Sequence, residues 1–327
     1  MRVDTLYVNT KISGHTLSGY LQDTWTISRR LDFRLGLRVS EQSFAGRPQF
    51  APRSAMKINF SDRLNLKLAY GWYYQPDNFH KLKTYLGVTA LEPKPEKSIH
   101  YMGGLSFERE NLSVNLSAYF KDYVRLHDDF RFDLHHRLGN PGVVDIPFNS
   151  QAGTSKGVEV FIRAKYARDN LVSLAYSFSK NRMTDDLGRT VPRDFDRTHA
   201  VNVNSVFKLG PDWTISALWR FHSGDPFTPA TIGVLGDNRS LVYFKTGAKN
   251  SARYSSYHSL DVKIQKEWQI HKVRLAAYLN VLNVYNRRNV REIDIGTHLI
   301  EAKLISLFPY DKTFLERFFA PGISVMF

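Results

Sequence analysis

Cysteine is absent from the 327 residues, which removes disulfides, thiol catalysis and thiolate metal ligands, and leaves an oxidising compartment open to the chain. No apolar run approaches the 18 or so residues that a transmembrane helix needs, so no such helix is encoded. Acidic residues are in the minority: 31 Asp and Glu stand against 45 Lys and Arg, a formal net charge of +14. That excess admits nucleic acid, an anionic membrane surface or an anionic cargo as partner. No Gly-rich phosphate loop and no RNA- or DNA-binding motif accompanies it, which argues against nucleic acid. The first residues, MRVDTLYVNTKIS, lack the basic segment and apolar core of a signal peptide. Mean hydropathy is −0.35. A soluble protein gives such a value, and so does a transmembrane β-barrel, because half of every strand is polar.

Aromatic residues are plentiful, at 13%, and they sit in a period-2 pattern. The clearest case runs from Gly157 to Ser179, GVEVFIRAKYARDNLVSLAYSFS. Val158, Val160, Ile162, Ala164 and Tyr166 share one face, and Glu159, Phe161, Arg163 and Lys165 the other. After a short turn, Val172, Leu174, Tyr176 and Phe178 alternate with small and polar residues. Successive side chains of a strand point to opposite faces, so this is a hairpin. Each arm has about ten residues, longer than an ordinary soluble strand and matched to a tilted strand crossing a bilayer.

The same pattern recurs over Thr5–Ile12, Leu17–Ile27, Leu31–Ser40, Arg53–Phe60, Leu64–Tyr74, Ser98–Arg109, Leu112–Tyr123, Gly157–Tyr166, Leu171–Ser179, Thr198–Leu209, Asp212–His222, Ser256–Trp268, Lys272–Tyr285 and Phe319–Phe327. Asp23 breaks it, on the apolar face of its strand. Tight polar turns such as Ser61-Asp62-Arg63 and Gly210-Pro211 alternate with long links: Glu41–Pro52, Gln75–Lys97, Val124–Lys156, Lys180–Arg197, Ser223–Ser255 and Asn286–Phe318. Short turns at one end and long loops at the other describe an outer-membrane barrel. Aromatics form two bands on the apolar face. Trp25, Phe60, Phe107, Tyr166, Trp213 and Trp268 lie beside the short turns; Trp72, Tyr74, Phe120, Phe178, Trp219, Phe221 and Tyr285 lie toward the long loops. Trp213 to Phe221 spans roughly 26 Å along a strand and about 20 Å after tilt, close to the height of an apolar band. The reading is all-β: one antiparallel transmembrane β-barrel domain of about 14 strands over residues 1–327, in the outer membrane and facing lipid and lipopolysaccharide.

Strand parity assigns Arg34, Arg38, Lys57, Lys67, Lys121, Arg163, Lys165, Lys208, Arg220, Lys263 and Arg274 to the inner face, against Asp32, Glu108, Glu159, Asp261 and Glu267. Such a wall concentrates anions. Toward the long loops Tyr73, Lys121, Tyr123, Arg220, His222 and Tyr257 also point inward by parity. Aromatic faces with cationic donors suit a partly planar, anionic small molecule. The loop stretch RLHDDFRFDLHHR, Arg125–Arg137, has no recognised ligand spacing, so no metal site or cofactor is expected. Asp194, Asp196 and His199 lack a nucleophile at a diagnostic spacing, and no enzymatic activity is expected.

Three stretches and the C-terminus carry a family resemblance. They are GTSKGVEV at 153–160, DFDRTH at 194–199 and LNVLNVYNRRN at 279–289. The end, FAPGISVMF, alternates Ile323, Val325 and Phe327. Together these resemble the C-terminal part of TonB-dependent outer-membrane receptors. The resemblance implies the last fourteen strands of a 22-stranded barrel, with Ile323, Val325 and Phe327 as the signal read by the barrel-assembly machinery. It implies energy-coupled uptake of a scarce, bulky nutrient, most readily a ferric siderophore, with TonB acting through a plug domain that these residues do not contain. On that reading the chain is a fragment, a truncated gene product or one part of a split receptor. A self-contained 14-stranded pore and an outer-membrane enzyme or adhesin are the alternatives.

Overall fold

The computed structural model describes residues 14–43, 47–75, 94–126, 151–167, 170–185, 188–235, 241–300 and 303–326. The strand expected over Thr5–Ile12 lies outside them. Alternating residues make strands because a pleat places one class on each face. The strands in chain order are β1 (Thr16–Ser28), β2 (Leu31–Gln42), β3 (Gln49–Asn59), β4 (Leu64–Gln75), β5 (Glu96–Arg109), β6 (Leu112–Leu126), β7 (Gln151–Tyr166), β8 (Asn170–Thr184), β9 (Thr190–Pro192), β10 (His199–Leu209), β11 (Trp213–His222), β12 (Pro226–Phe227), β13 (Ala230–Leu235), β14 (Leu241–Thr246), β15 (Ala252–Arg253), β16 (Tyr257–Ile270), β17 (Val273–Leu282), β18 (Val290–Ile300), β19 (Lys303–Thr313) and β20 (Phe318–Met326).

The wall is a single antiparallel sheet in the order β1-β2-β3-β4-β5-β6-β7-β8-β10-β11-β16-β17-β20, with β9 flanking β8. Every neighbour in the wall is the next wall strand in the chain. Among the described residues no ladder joins β1 to β20.

The register carries the parity from strand to strand. Tyr70 faces Tyr101, which faces Phe120; Val203 faces Trp219, which faces Leu260. Large apolar side chains on this face stay open to the surroundings, Leu21 at 80% and Leu116 at 42%. A water-soluble fold buries such a surface; a lipid-facing wall presents it. The other face is polar and tied together by short hydrogen bonds, such as Thr26 to Asp32 at 2.9 Å and Ser113 to Glu108 at 2.7 Å. Asp23 stands on the apolar face of β1, where its carboxylate accepts the Thr24 amide at 2.7 Å.

Two differences from the sequence reading share a cause. The strands run further toward the long links than apolar alternation marks: β3 begins at Gln49, β7 at Gln151, and β8 reaches Thr184. Beyond the lipid band both faces meet water, so alternation vanishes while the backbone ladder continues. For the same reason the links Ser223–Ser255 and Asn286–Phe318 hold unexpected structure: the hairpins β13–β14 and β18–β19 and the β12–β15 bridge.

Candidate functional site

The register gathers the residues read as inward-facing into two groups on the polar face. In the first, Tyr73 lies opposite Ser98 and Ser98 opposite Tyr123, while His100 lies between Gly71 and Lys121. The Tyr73 ring is held between the His100 ring, stacked at 4.2 Å, and the Arg53 guanidinium at 4.7 Å. Gly71 makes this approach possible: a Cβ there would stand 3.1 Å from the Arg53 stem and 3.2 Å from the Tyr73 ring. Lys121 lies 4.9 Å from the Tyr119 ring, and Arg193, from the link after β9, covers Tyr123 at 4.9 Å. Three cations thus rest on aromatic faces, a favourable pairing of charge with ring quadrupole. Among the described residues neither Arg53 nor Lys121 takes part in an ion pair.

The second group is built differently. His222 stacks on Tyr257 at 4.8 Å with only 5° between the rings, and Phe314 meets Tyr257 edge-on at 5.4 Å. The His222 Nδ1 lies 2.9 Å from the Ser223 carbonyl and donates to it in that tautomer. Arg220 is the residue whose surroundings differ most from the sequence reading. Asp261 of β16 neutralises it, and the same carboxylate accepts from the Ser259 hydroxyl at 3.1 Å and the Asn283 amide at 2.9 Å. Its charge is spent within the wall.

Strands β7, β8 and β10 separate the two groups. Four strand spacings amount to about 19 Å along the wall. A concavity of about 350 Å³ lies between them, where polar side chains such as Ser117, Glu159 and Asn202 mix with apolar ones such as Phe161 and Ala200. Asn202 and Ala200 are the cross-strand partners of Arg220 and His222.

Sequence reasoning missed a clasp above the wall. Asp196 is 1% exposed, pairs with Arg253 at 2.6 Å and accepts the Asn181 amide at 2.7 Å. Arg253 also donates to the Asp196 and Gly224 carbonyls at 2.5 and 3.1 Å. Arg197 grips Asp225 with two bonds, 2.7 and 2.9 Å, which raise the guanidinium above its ordinary pKa. Asn250, in the left-handed region at φ 54, donates to the Pro192 carbonyl at 2.8 Å and the Asp194 carboxylate at 2.7 Å. The DFDRTH stretch therefore joins links that are far apart in the chain. The signal was its density of acids beside a strand start, and the partners Arg253 and Asn250 were invisible.

The stretch LNVLNVYNRRN does related work at β16 and β17. Asn289, 2% exposed, accepts the His258 amide at 3.0 Å and donates to its carbonyl at 2.9 Å. Asn283 donates to the Arg287 and Leu315 carbonyls at 2.9 and 3.3 Å. At the C-terminal strand Ile323 and Val325 lie on the apolar face, paired with Ala277 and Leu275. Phe327, and residues 127–137 of the His- and Asp-rich stretch, lie outside the described residues.

A family model, "TonB dependent receptor-like, beta-barrel", matches residues 2–284. No curated protein sequence matches the chain. Among solved structures, the unliganded ferric citrate transporter FecA superposes with a TM-score of 0.60 at 11% identity, over 96% of this chain and 45% of that one. The ferric-catecholate import receptor Fiu from E. coli K12 gives 0.62 at 14% identity, over 96% and 44%. The siderophore receptor PiuA from Acinetobacter baumannii gives 0.61 at 12%, over 95% and 42%. The chain thus spans under half the length of these structures. The fold they share is a lipid-facing antiparallel wall with its long links at one end, and with the family model over most of its length the chain belongs to the TonB dependent receptor-like β-barrel family of the outer membrane.

Proposed function

We propose that this chain forms part of the wall of an energy-coupled receptor that takes up a scarce, bulky, anionic nutrient, with a ferric siderophore as the leading class. TonB would act through a plug domain, and the wall would bind cargo without altering it chemically. One observation carries the reading: Arg53 and Lys121 lie without described ion pairs among Tyr73, His100, Tyr119 and Tyr123, at the long-link end of the polar face. A low-dielectric wall strengthens such cations toward an anion. Flat aromatic faces suit the planar donor groups of a chelator, and the concavity between the two groups has room for bulk. Ferric citrate and ferric catecholate, in the names of two similar structures, belong to the same class of anionic chelates.

The test is binding of an anionic ferric chelate and of a neutral sugar to a plug-containing receptor carrying this wall. Arg53→Gln and Lys121→Gln should each weaken the anionic ligand by about tenfold, the worth of one charge-assisted contact. Arg220→Gln should act through folding, because its partner is Asp261. Unchanged affinity in both Arg53→Gln and Lys121→Gln, or equal preference for the sugar, overturns the reading.

A further inference from the structure

On the lipid-facing side, beside the long links, two lysines stand where a strand pair does not tolerate them. Lys156 of β7 is registered directly opposite Lys180 of β8. Phe120 is the partner of Lys156 on the other side. Both lysines are exposed, and Val158 with Phe178 forms the next pair toward the membrane centre on the same face. Arg182 shares the parity of Lys180, and Asp122 is separated from it by Thr154. The patch therefore holds three cations and one acid. Among the described residues no ion pair involves Lys156 or Lys180.

Like charges directly opposite each other weaken a strand pair. An anion seated between the two ammonium groups reverses the sign. The height of the patch identifies that anion. Lys180 stands two residues, about 7 Å, beyond Phe178 in its own strand, and Lys156 lies beside Phe120 of the upper aromatic band, so the pair sits where that band meets the headgroups. Lys180 approaches the Phe178 ring to 5.9 Å, and along the rim Lys97 lies 3.7 Å over the Trp72 ring. Phe120 beside Lys156 and Val158 below it are 41% and 40% exposed and offer apolar surface to an acyl chain.

We propose that Lys156 and Lys180, with Arg182 beside them, form a site for the phosphate of an outer-leaflet lipid, whose acyl chain runs down over Phe120 and Val158. The site is separate from the cargo groups, which lie on the opposite face of the wall.

The experiment uses the receptor that carries this wall, in nanodiscs of phosphatidylcholine with or without phosphatidic acid as the probe. Spin-labelled phosphatidic acid measures preference over phosphatidylcholine. Lys156→Gln/Lys180→Gln should lower that preference about tenfold. Lys156→Arg/Lys180→Arg should keep it, and so should the polar-face control Lys57→Gln/Arg163→Gln. A stability readout supplies an opposite sign. In pure phosphatidylcholine, Lys156→Gln should raise resistance to urea by removing repulsion; with phosphatidic acid present it should lower it. The wild-type preference should itself fall as salt rises from 0.05 to 0.5 M, so the proposal stays testable if a variant fails to fold. Unchanged preference in the Gln pair, an equal loss in the polar-face control, or full displacement of the probe by free inorganic phosphate overturns the lipid site.

Discussion

At the scale of single residues, two side chains show how a motif reflects packing. Gly157 faces Tyr119 across β6 and β7. A Cβ at Gly157 would stand 2.7 Å from the Tyr119 hydroxyl and 2.5 Å from the Phe178 carbonyl, and that carbonyl belongs to a neighbouring strand that cannot simply rotate away. Gly157→Ala should therefore destabilise the wall by about 1–3 kcal/mol, the usual cost of overpacking, read as a lower urea midpoint in micelles. Asp196 is the second case. Removing its carboxylate leaves the Arg253 charge and the Asn181 amide without that partner. Arg253 is a third exposed, at 35%, and water softens the loss. Asp196→Ala should cost about 2–3 kcal/mol, below the full penalty of breaking a wholly buried pair. The expected sign is faster proteolysis of the links 185–198 and 247–255, with the wall strands still protected.

At the scale of the strand, alternation makes neighbouring residues unequal. Leu116 and Asn115 are adjacent in β6, and their cross-strand partners Val160 and Phe161 lie on opposite faces. Leu116, 42% exposed, meets lipid; Asn115 lines the concavity on the polar face. Leu116→Arg should cost about 2–4 kcal/mol, as for charge near the bilayer midplane. Asn115→Arg should cost under about 1 kcal/mol, because the charge stays solvated. Urea unfolding in bilayers compares the two, and equal costs would show that the faces are wrongly assigned. At the strand ends beside the short turns, Lys266 lies 5.2 Å from both the Trp213 and Trp268 rings. Its apolar stem lies along the aromatic band while its ammonium reaches the interface.

At the scale of the whole molecule, the outer surface decides the solvent. Leu17, Leu21, Ile27, Phe50, Phe60, Leu209 and Ile323 all stand more than half exposed. Water would collapse such a surface. β1 and β20 each have a wall partner on one side only among the described residues. In hydrocarbon every unpaired backbone group costs several kcal/mol, so each edge needs a strand or other hydrogen-bonding protein groups against it. The chain should reach its β-rich form only in detergent or bilayer, migrating faster unheated than boiled in SDS gels. A monomeric, β-rich product in plain buffer would contradict the lipid-facing assignment.

The amino-acid sequence by itself determined the thirteen described strands of the wall, their faces and which end of the wall carries the long links. Each rests on a local rule: period-2 alternation from Val158 to Tyr166, a polar turn such as Gly210-Pro211 against a long link such as Ser223–Ser255, an aromatic two residues inside a strand end. It also placed Tyr73, Lys121 and Tyr123 on one face, because parity passes through each strand without knowledge of its neighbours. Only the tertiary structure decided which charges are free. Arg220 and Asp261 are 41 residues apart, and Asp196 and Arg253 are 57 apart. Their pairing depends on how the links fold back over the wall, and no local period encodes that. The hairpins β13–β14 and β18–β19 escaped for the same reason. Above the membrane both faces of a strand are wet, and the contrast that marks a strand in lipid disappears.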